Sequence, residues 1–147
     1  MNSDTSKAML LRRRDFPARL TVFKDIKAFV ESFGADASLH PVDWLKLVLL
    51  AEELFTNTVH HGYRGGSDER VEITLESLER FIRLTYEDSA PPHDPLSAVK
   101  RIDLQQPLEK RPVGGLGMLL TVRLTESADY TYLNNRNRVE LLLARLR

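Results

Sequence analysis

At 147 residues, with Lys+Arg 21 against Asp+Glu 21, the chain is long enough for one packed domain and carries no formal net charge. It has no cysteine, which removes disulfides, thiolate metal sites and cysteine nucleophiles and is compatible with a reducing compartment. The balanced charge gives no basic excess for a nucleic-acid backbone, no apolar run reaches the ~18 residues of a membrane span, and Met1–Lys7 lacks a signal-peptide pattern; the expectation is a cytoplasmic protein with no nucleic-acid or membrane partner.

Residues 1–7 are polar and are expected to be disordered, with 8–147 forming a single domain. Ala8 to Arg14 reads as a first strand, Met9 and Leu11 alternating against Arg12 and Arg14. Pro17 stands where a helix start tolerates proline, and Leu20, Phe23, Ile26, Lys27 and Val30 then repeat at helical spacing until Gly34, a stop. Pro41 opens a second helix that runs to His61 and ends at Gly62.

Two alternating strands follow, Arg70 to Leu75 and Phe81 to Tyr86, close enough for a hairpin through Glu76–Arg80. From Asp88 to Val113 periodicity fades under Pro91, Pro92, Pro95, Pro107 and Pro112, and so long an irregular segment in a compact domain is usually functional or mobile. Leu96 to Ile102 has the pattern of a short helix inside it. Leu116 to Leu124 reads as a third helix, and Tyr130 to Leu133 and Arg138 to Leu146 as closing strands around an Asn134-Asn135 turn. Helices and antiparallel strands segregate, which predicts an α+β fold: a two-layer sandwich with a mixed, mostly antiparallel sheet and helices on one face.

The second helix carries the clearest chemistry. Trp44, Leu47, Val48, Ala51, Leu54, Phe55 and Thr58 form one broad apolar stripe, while Glu53 and Asn57, four apart, share another face beside Leu49, Leu50 and His61. An asparagine carbonyl oxygen suits a hard cation such as Mg²⁺ without adding charge beside a triphosphate, and a glutamate one turn earlier can take a proton from an attacking hydroxyl. Taken alone, the pair reads equally well as a solvated helix surface. Gly114, Gly115 and Gly117 precede an apolar helix, where backbone N–H groups can approach phosphates; alone, they are also an ordinary flexible turn, with no Walker A lysine following. Asp88 closes a strand, where it either accepts a hydrogen bond from an exocyclic amine or ends the strand in a turn. His40, His60, His61 and His93 show no metal spacing and read as structural or solvated; no G-x-S-x-G elbow is present.

Taken in order, these elements resemble the Bergerat-fold (GHKL) ATPases, and most closely the small anti-sigma-factor serine kinases of the partner-switching type. Leu50-Ala-Glu-Glu-Leu-Phe-Thr-Asn-Thr-Val-His-His-Gly-Tyr63 is similar to that family's N box. Tyr86-Glu-Asp-Ser-Ala-Pro-Pro-His-Asp-Pro95 looks like its first glycine box, and Gly114-Gly-Leu-Gly-Met-Leu-Leu120 like its second. The resemblance spans about residues 8–146. It implies that Glu53 is the general base and that Asn57 holds Mg²⁺. It also implies that Asn57, Asp88, Ala90, Gly114, Gly115, Leu116, Gly117 and Met118 bind ATP, and that 94–113, with Asp94, Pro95 and Arg111, forms a lid. Ala90 stands where the family usually has glycine, and Glu140 reads as the match to a threonine the family often carries near adenine.

The segment ahead of Leu50 leaves no room for a phosphoacceptor-histidine hairpin, so a stand-alone regulator is expected rather than a full histidine kinase. The implied function is an ATP-binding anti-sigma regulator and serine/threonine kinase. It would phosphorylate a STAS-domain anti-anti-sigma protein, with a sigma factor as a possible second partner and a homodimer as its assembly. Two rivals stand beside it: a kinase-inactive module that sequesters a regulator, suggested by Ala90, Pro91-Pro92 and Glu140, and an ATPase without a protein acceptor.

Overall fold

The computed structural model describes residues 7–97 and 115–146, with the backbone alone at 116 and 120. The N-terminal disorder expected for 1–7 falls almost wholly outside these residues, as do Gly114, Arg111 and most of the expected lid and of the helix expected at Leu96–Ile102. Strands β1 (Leu10–Ala18), β2 (Ser67–Ser77), β3 (Phe81–Asp88), β4 (Ser127–Leu133) and β5 (Arg136–Ala144) form one sheet in the order β1-β2-β3-β5-β4. Every pairing among them is antiparallel, with no parallel pair of the kind a mixed sheet would contain. Helices α1 (Phe23–Asp36), α2 (Pro41–Asn57) and α3 (Gly115–Arg123) supply the second layer of the α+β sandwich. None of the described helices is long and apolar enough to cross a membrane.

Side-chain alternation explains the layering. On β2 and β3 the residues facing the helices are Val71, Ile73, Leu75 and Ile82, Leu84, Tyr86; on β5 they are Val139, Leu141 and Leu143, and all are buried. Register places Leu84 opposite both Leu75 and Leu141, and Tyr86 opposite both Ile73 and Val139, so one continuous apolar surface results. Ile26, Val30 and Phe33 of α1, Leu47, Leu50, Ala51, Leu54 and Phe55 of α2, and Met118 of α3 close over it. Each large apolar side chain removed from water here contributes about 1.5–3 kcal/mol before entropy is counted. The outward face is polar: Arg83 lies 3.3 Å from Glu76 and 3.8 Å from Glu140, and Arg138 lies 3.5 Å from Glu140.

Several local expectations are corrected. Strand β1 runs on through Pro17 to Ala18, so the proline does not open a helix. As an edge strand, β1 tolerates a residue without an N–H, and its register shifts at Pro17/Ala18. Its alternation also has the opposite sense: Met9 and Leu11 are 61% and 47% exposed, while Phe16 is buried. Gly34 lies inside α1 rather than ending it. A Cβ there would come within 2.8 Å of the Trp44 Cβ, so glycine is what lets α1 and α2 approach.

The second helix is α-helical only to Asn57. Thr58–Gly62 forms a wider π turn, sealed by the Tyr63 N–H donating to the Thr58 carbonyl at 2.9 Å. The Arg64-Gly65-Gly66 turn, all three at positive φ, then leads into β2. Asn134 and Asn135, at φ 54 and 61, make the tight β4–β5 turn read from the sequence; two left-handed residues match the twist of a hairpin.

Candidate functional site

The end of α2, the end of β3, the loop after it and the start of β5 converge on one cavity. Its walls are Leu54, Asn57 and Thr58, then Tyr86 and Asp88, then His93 and Pro95, then Asn137 and Val139. The volume is about 10 Å³, the lower limit for a single water molecule.

Asp88 is brought here by parity. Tyr86 and Asp88 share the helix-facing side of β3, but Asp88 stands where the strand ends, and it is 1% exposed. A buried carboxylate must be hydrogen-bonded, and this one is. Thr58 donates its hydroxyl to Asp88 Oδ2 at 2.8 Å, and Tyr86 donates its own hydroxyl to Thr58 Oγ1 at 2.8 Å. Burial pushes the Tyr86 phenol well above its ordinary pKa, so it stays a donor. Asp88 Oδ1 accepts the Ala90 N–H at 3.1 Å and the Asn137 side-chain amide at 2.8 Å. The last turn of α2 is what allows this: Thr58 keeps helical φ/ψ and its N–H still bonds back to the Leu54 and Phe55 carbonyls, so helical spacing presents it to the strand end.

Asn137 is directly opposite Asp88 in the β3–β5 register. Its amide nitrogen donates to Asp88 Oδ1, to the Ala90 carbonyl at 3.0 Å and to the Pro91 carbonyl at 3.2 Å. Its oxygen accepts from the His93 N–H at 3.1 Å and from the Tyr130 hydroxyl at 2.5 Å. Three acceptors on one side and two donors on the other fix the amide orientation. This corrects the sequence match: Glu140 lies on the opposite face of β5, paired with Arg83 and Arg138, and does not approach Asp88. The reason is period two, since residue 140 differs from 137 by an odd number.

Ala90 is buried, and its methyl group packs toward Gly62, where a Cβ would stand 2.9 Å from it. The extra methyl is therefore accommodated by the π turn and does not line the cavity. Asp94 begins a turn, its Oδ1 accepting the Leu96 N–H at 2.8 Å, and Pro95 is buried against the cavity.

Glu53 and Asn57 sit one turn apart, both half-buried. The Asn57 side-chain oxygen is shut off from water and has no hydrogen-bond partner among the described residues. Such an orphaned carbonyl oxygen is what a hard cation such as Mg²⁺ requires, so the residue present fits that ion. Glu53 lies under the first turn of α3: a Cβ on Gly117 would be 2.6 Å from its carboxyl carbon. Burial, and then the charge of Glu52, raise the Glu53 pKa above the ordinary carboxylate value, which makes it a stronger base. Gly115, Leu116 and Gly117 form the start of α3, while Met118 is buried in the core, leaving its backbone for any ligand contact. Thr121 donates its hydroxyl to the Gly117 carbonyl at 2.8 Å.

The structure thus brings together Glu53 with Gly117, and Asn57 with Asp88 and Pro95. Sequence reasoning missed Thr58, Tyr86, His93 and Asn137. Strand parity identifies Tyr86 and Asn137, and helical spacing put Thr58 on the buried stripe without a polar role; His93 has no comparable signal, because a proline-rich loop places it.

A model of the histidine kinase-like ATPase domain matches residues 16–143. Among solved structures, the RsbU and RsbW domains of Rv1364c from Mycobacterium tuberculosis align over 93% of this chain and 32% of theirs, with TM-score 0.66 and 13% identity. The SiaB–SiaC complex from Pseudomonas aeruginosa aligns over 97% of this chain and 93% of that one, with TM-score 0.57 and 12% identity. The chain spans about a third of the length of the first neighbour, and at these identities the likeness is one of fold. No curated protein sequence matches it.

Proposed function

The chain belongs to the histidine kinase-like ATPase domain family, a branch of the GHKL superfamily, and on that premise we propose that it binds ATP with Mg²⁺ and transfers the γ-phosphoryl group to a protein serine or threonine. The observation that carries this reading is the unpartnered Asn57 oxygen, one helical turn from a carboxylate of raised pKa and on the same cavity as Asp88.

Asn57 would hold the metal ion, which when bound neutralises charge on the phosphates. Asp88 would read the base, and Gly114, Gly115, Leu116, Gly117 and Met118 would offer backbone N–H groups to the phosphates. Glu53 would accept the proton of the attacking hydroxyl as its oxygen bonds to the γ-phosphorus. The bond from that phosphorus to the bridging oxygen breaks, and ADP leaves with the electron pair. Asp94, Pro95 and Arg111 would belong to the lid. The motif resemblance to the anti-sigma-factor serine kinases makes a small STAS-domain anti-anti-sigma protein the acceptor in this reading, and a sigma factor a further partner. The same reading implies a homodimer.

The experiment is incubation with ATP·Mg²⁺ and a candidate STAS-domain partner, alongside calorimetry. Saturable binding that is weakened at least ~10-fold by Asn57→Ala, with phosphate appearing on the partner, is the expected result. Absence of any binding heat would overturn it. One observation favours a second reading, a kinase-inactive module that sequesters a regulator: the cavity at Asp88 admits one water, and Asp88 is fully bonded internally. Partner capture with no nucleotide binding would select that reading, and phosphate release without a partner would select a free-standing ATPase.

A further inference from the structure

One side chain ties the loop after β3 to the strands beside Asp88. The five hydrogen bonds of Asn137 run to Asp88 on β3, to Ala90, Pro91 and His93 in the following loop, and to Tyr130 on β4. Three of the five reach loop backbone groups, two carbonyls and one N–H, within four consecutive residues. They draw the loop onto the start of β5. The His93 ring is tied to the Pro91 carbonyl at 3.1 Å, and with Pro95 it forms the cavity wall that faces Asp88. What remains holds a single water, not a bicyclic base. Gly62 permits this closure, because a side chain there would strike Ala90 and His93.

We propose that Asn137 is a latch on the nucleotide base pocket, a positioning residue that holds residues 90–93 closed over Asp88 and so sets how readily a base enters. This rests on the ATP reading above. Entry needs the loop bonds of Asn137 to break, and it also needs Asp88 to exchange the Asn137 amide for the amino group of the base. The apparent dissociation constant is then the intrinsic one divided by the fraction of open molecules. A substitution that frees the loop while leaving Asp88 a donor should tighten binding. A residue of purely structural importance would loosen it when replaced, so the two roles predict opposite signs.

Asn137→Thr is the informative variant: it retains a hydroxyl beside Asp88 and loses the groups that hold Ala90, Pro91 and His93. His93→Ala is the second, and removes the ring from the cavity without touching the strand. Calorimetric titration with ADP·Mg²⁺ is compared with amide hydrogen exchange at His93. Asn137→Thr should bind ADP at least roughly 10-fold more tightly than the wild type, the factor expected when backbone hydrogen bonds of the loop no longer oppose opening, and His93→Ala, which leaves the Asn137 bonds in place and only clears the ring from the cavity, should bind it more tightly by a smaller factor. The His93 amide should exchange faster in Asn137→Thr, while its urea midpoint falls. Equal or weaker ADP binding by both folded variants overturns the latch and leaves the ATP reading intact. Unchanged His93 exchange in Asn137→Thr overturns it independently of any nucleotide. No ADP binding by wild type or either variant, with His93 exchange accelerated, overturns the ATP reading and the gating role with it.

Discussion

Replacing Thr58 with valine removes one hydroxyl and almost no volume, yet it breaks the centre of a buried relay. In the native protein the Tyr86 hydroxyl donates to Thr58 at 2.8 Å and Thr58 donates to Asp88 Oδ2 at 2.8 Å, with Thr58 and Asp88 each 1% and Tyr86 3% exposed. Valine leaves a buried phenol and one oxygen of a buried carboxylate without partners. Each group stranded in this way costs about 1–3 kcal/mol, more when charged, so a loss of about 3 kcal/mol is expected. Serine at the same position keeps the relay and loses only a methyl group, about 1 kcal/mol. Urea unfolding measures both, a 3 kcal/mol loss moving the midpoint by about 1–3 M at the usual denaturant slope. The double variant Thr58→Val/Tyr86→Phe should be less unstable than the sum of the single changes, since the phenol then no longer needs an acceptor. Equal stability of the valine and serine variants would refute the relay as an energetic unit.

Glu53→Gln should lower phosphoryl transfer about 10²–10⁴-fold with ATP affinity nearly unchanged, read by radiolabelled phosphate on the acceptor. In the wild type, transfer should rise with pH as Glu53 loses its proton, at a pH above the ordinary carboxylate range, because burial and Glu52 raise its pKa. The stability sign is the reverse. A carboxyl whose folded pKa is raised favours the folded state most below its unfolded pKa, and that contribution is lost as pH rises through the folded pKa; the glutamine variant should therefore lose less stability than the wild type on going from pH 4 to 7. Gly34→Ala should destabilise by about 1–3 kcal/mol in thermal unfolding, since its Cβ meets Trp44 at 2.8 Å, despite a helix-propensity gain of about 1 kcal/mol. Asn57→Ala, which should weaken ATP·Mg²⁺ binding, should leave stability within about 0.5 kcal/mol, because its side-chain oxygen has no hydrogen bond to lose.

The sequence made the layered α+β fold legible because both periodicities are strong: Val71, Ile73 and Leu75 alternate, and Leu47, Ala51, Leu54 and Phe55 repeat along a helix. Glycine and proline were misread where tertiary packing, not local preference, set their use. Gly34 serves the contact with Trp44, and Pro17 is tolerated because β1 lies at the sheet edge. In the site, Glu53 and Asn57 were legible because helical spacing alone puts them on one face. Glu140 was taken for the residue beside Asp88, where Asn137 stands, because motif order along a chain carries no strand parity unless the register is worked out, and Asp88↔Asn137 is a register fact.

The two ends of the site are in opposite states of satisfaction. At the Asn57–Glu53 end, an amide oxygen lacks a partner and a carboxylate is held at a raised pKa, so ligand can supply what the fold withholds. At the Asp88 end, both carboxylate oxygens are already bonded and the neighbouring loop is tied down, so a base must displace protein groups to be read. Favourable free energy at the first end is then partly spent opening the second. Phosphate and metal contacts should therefore dominate affinity and base contacts selectivity.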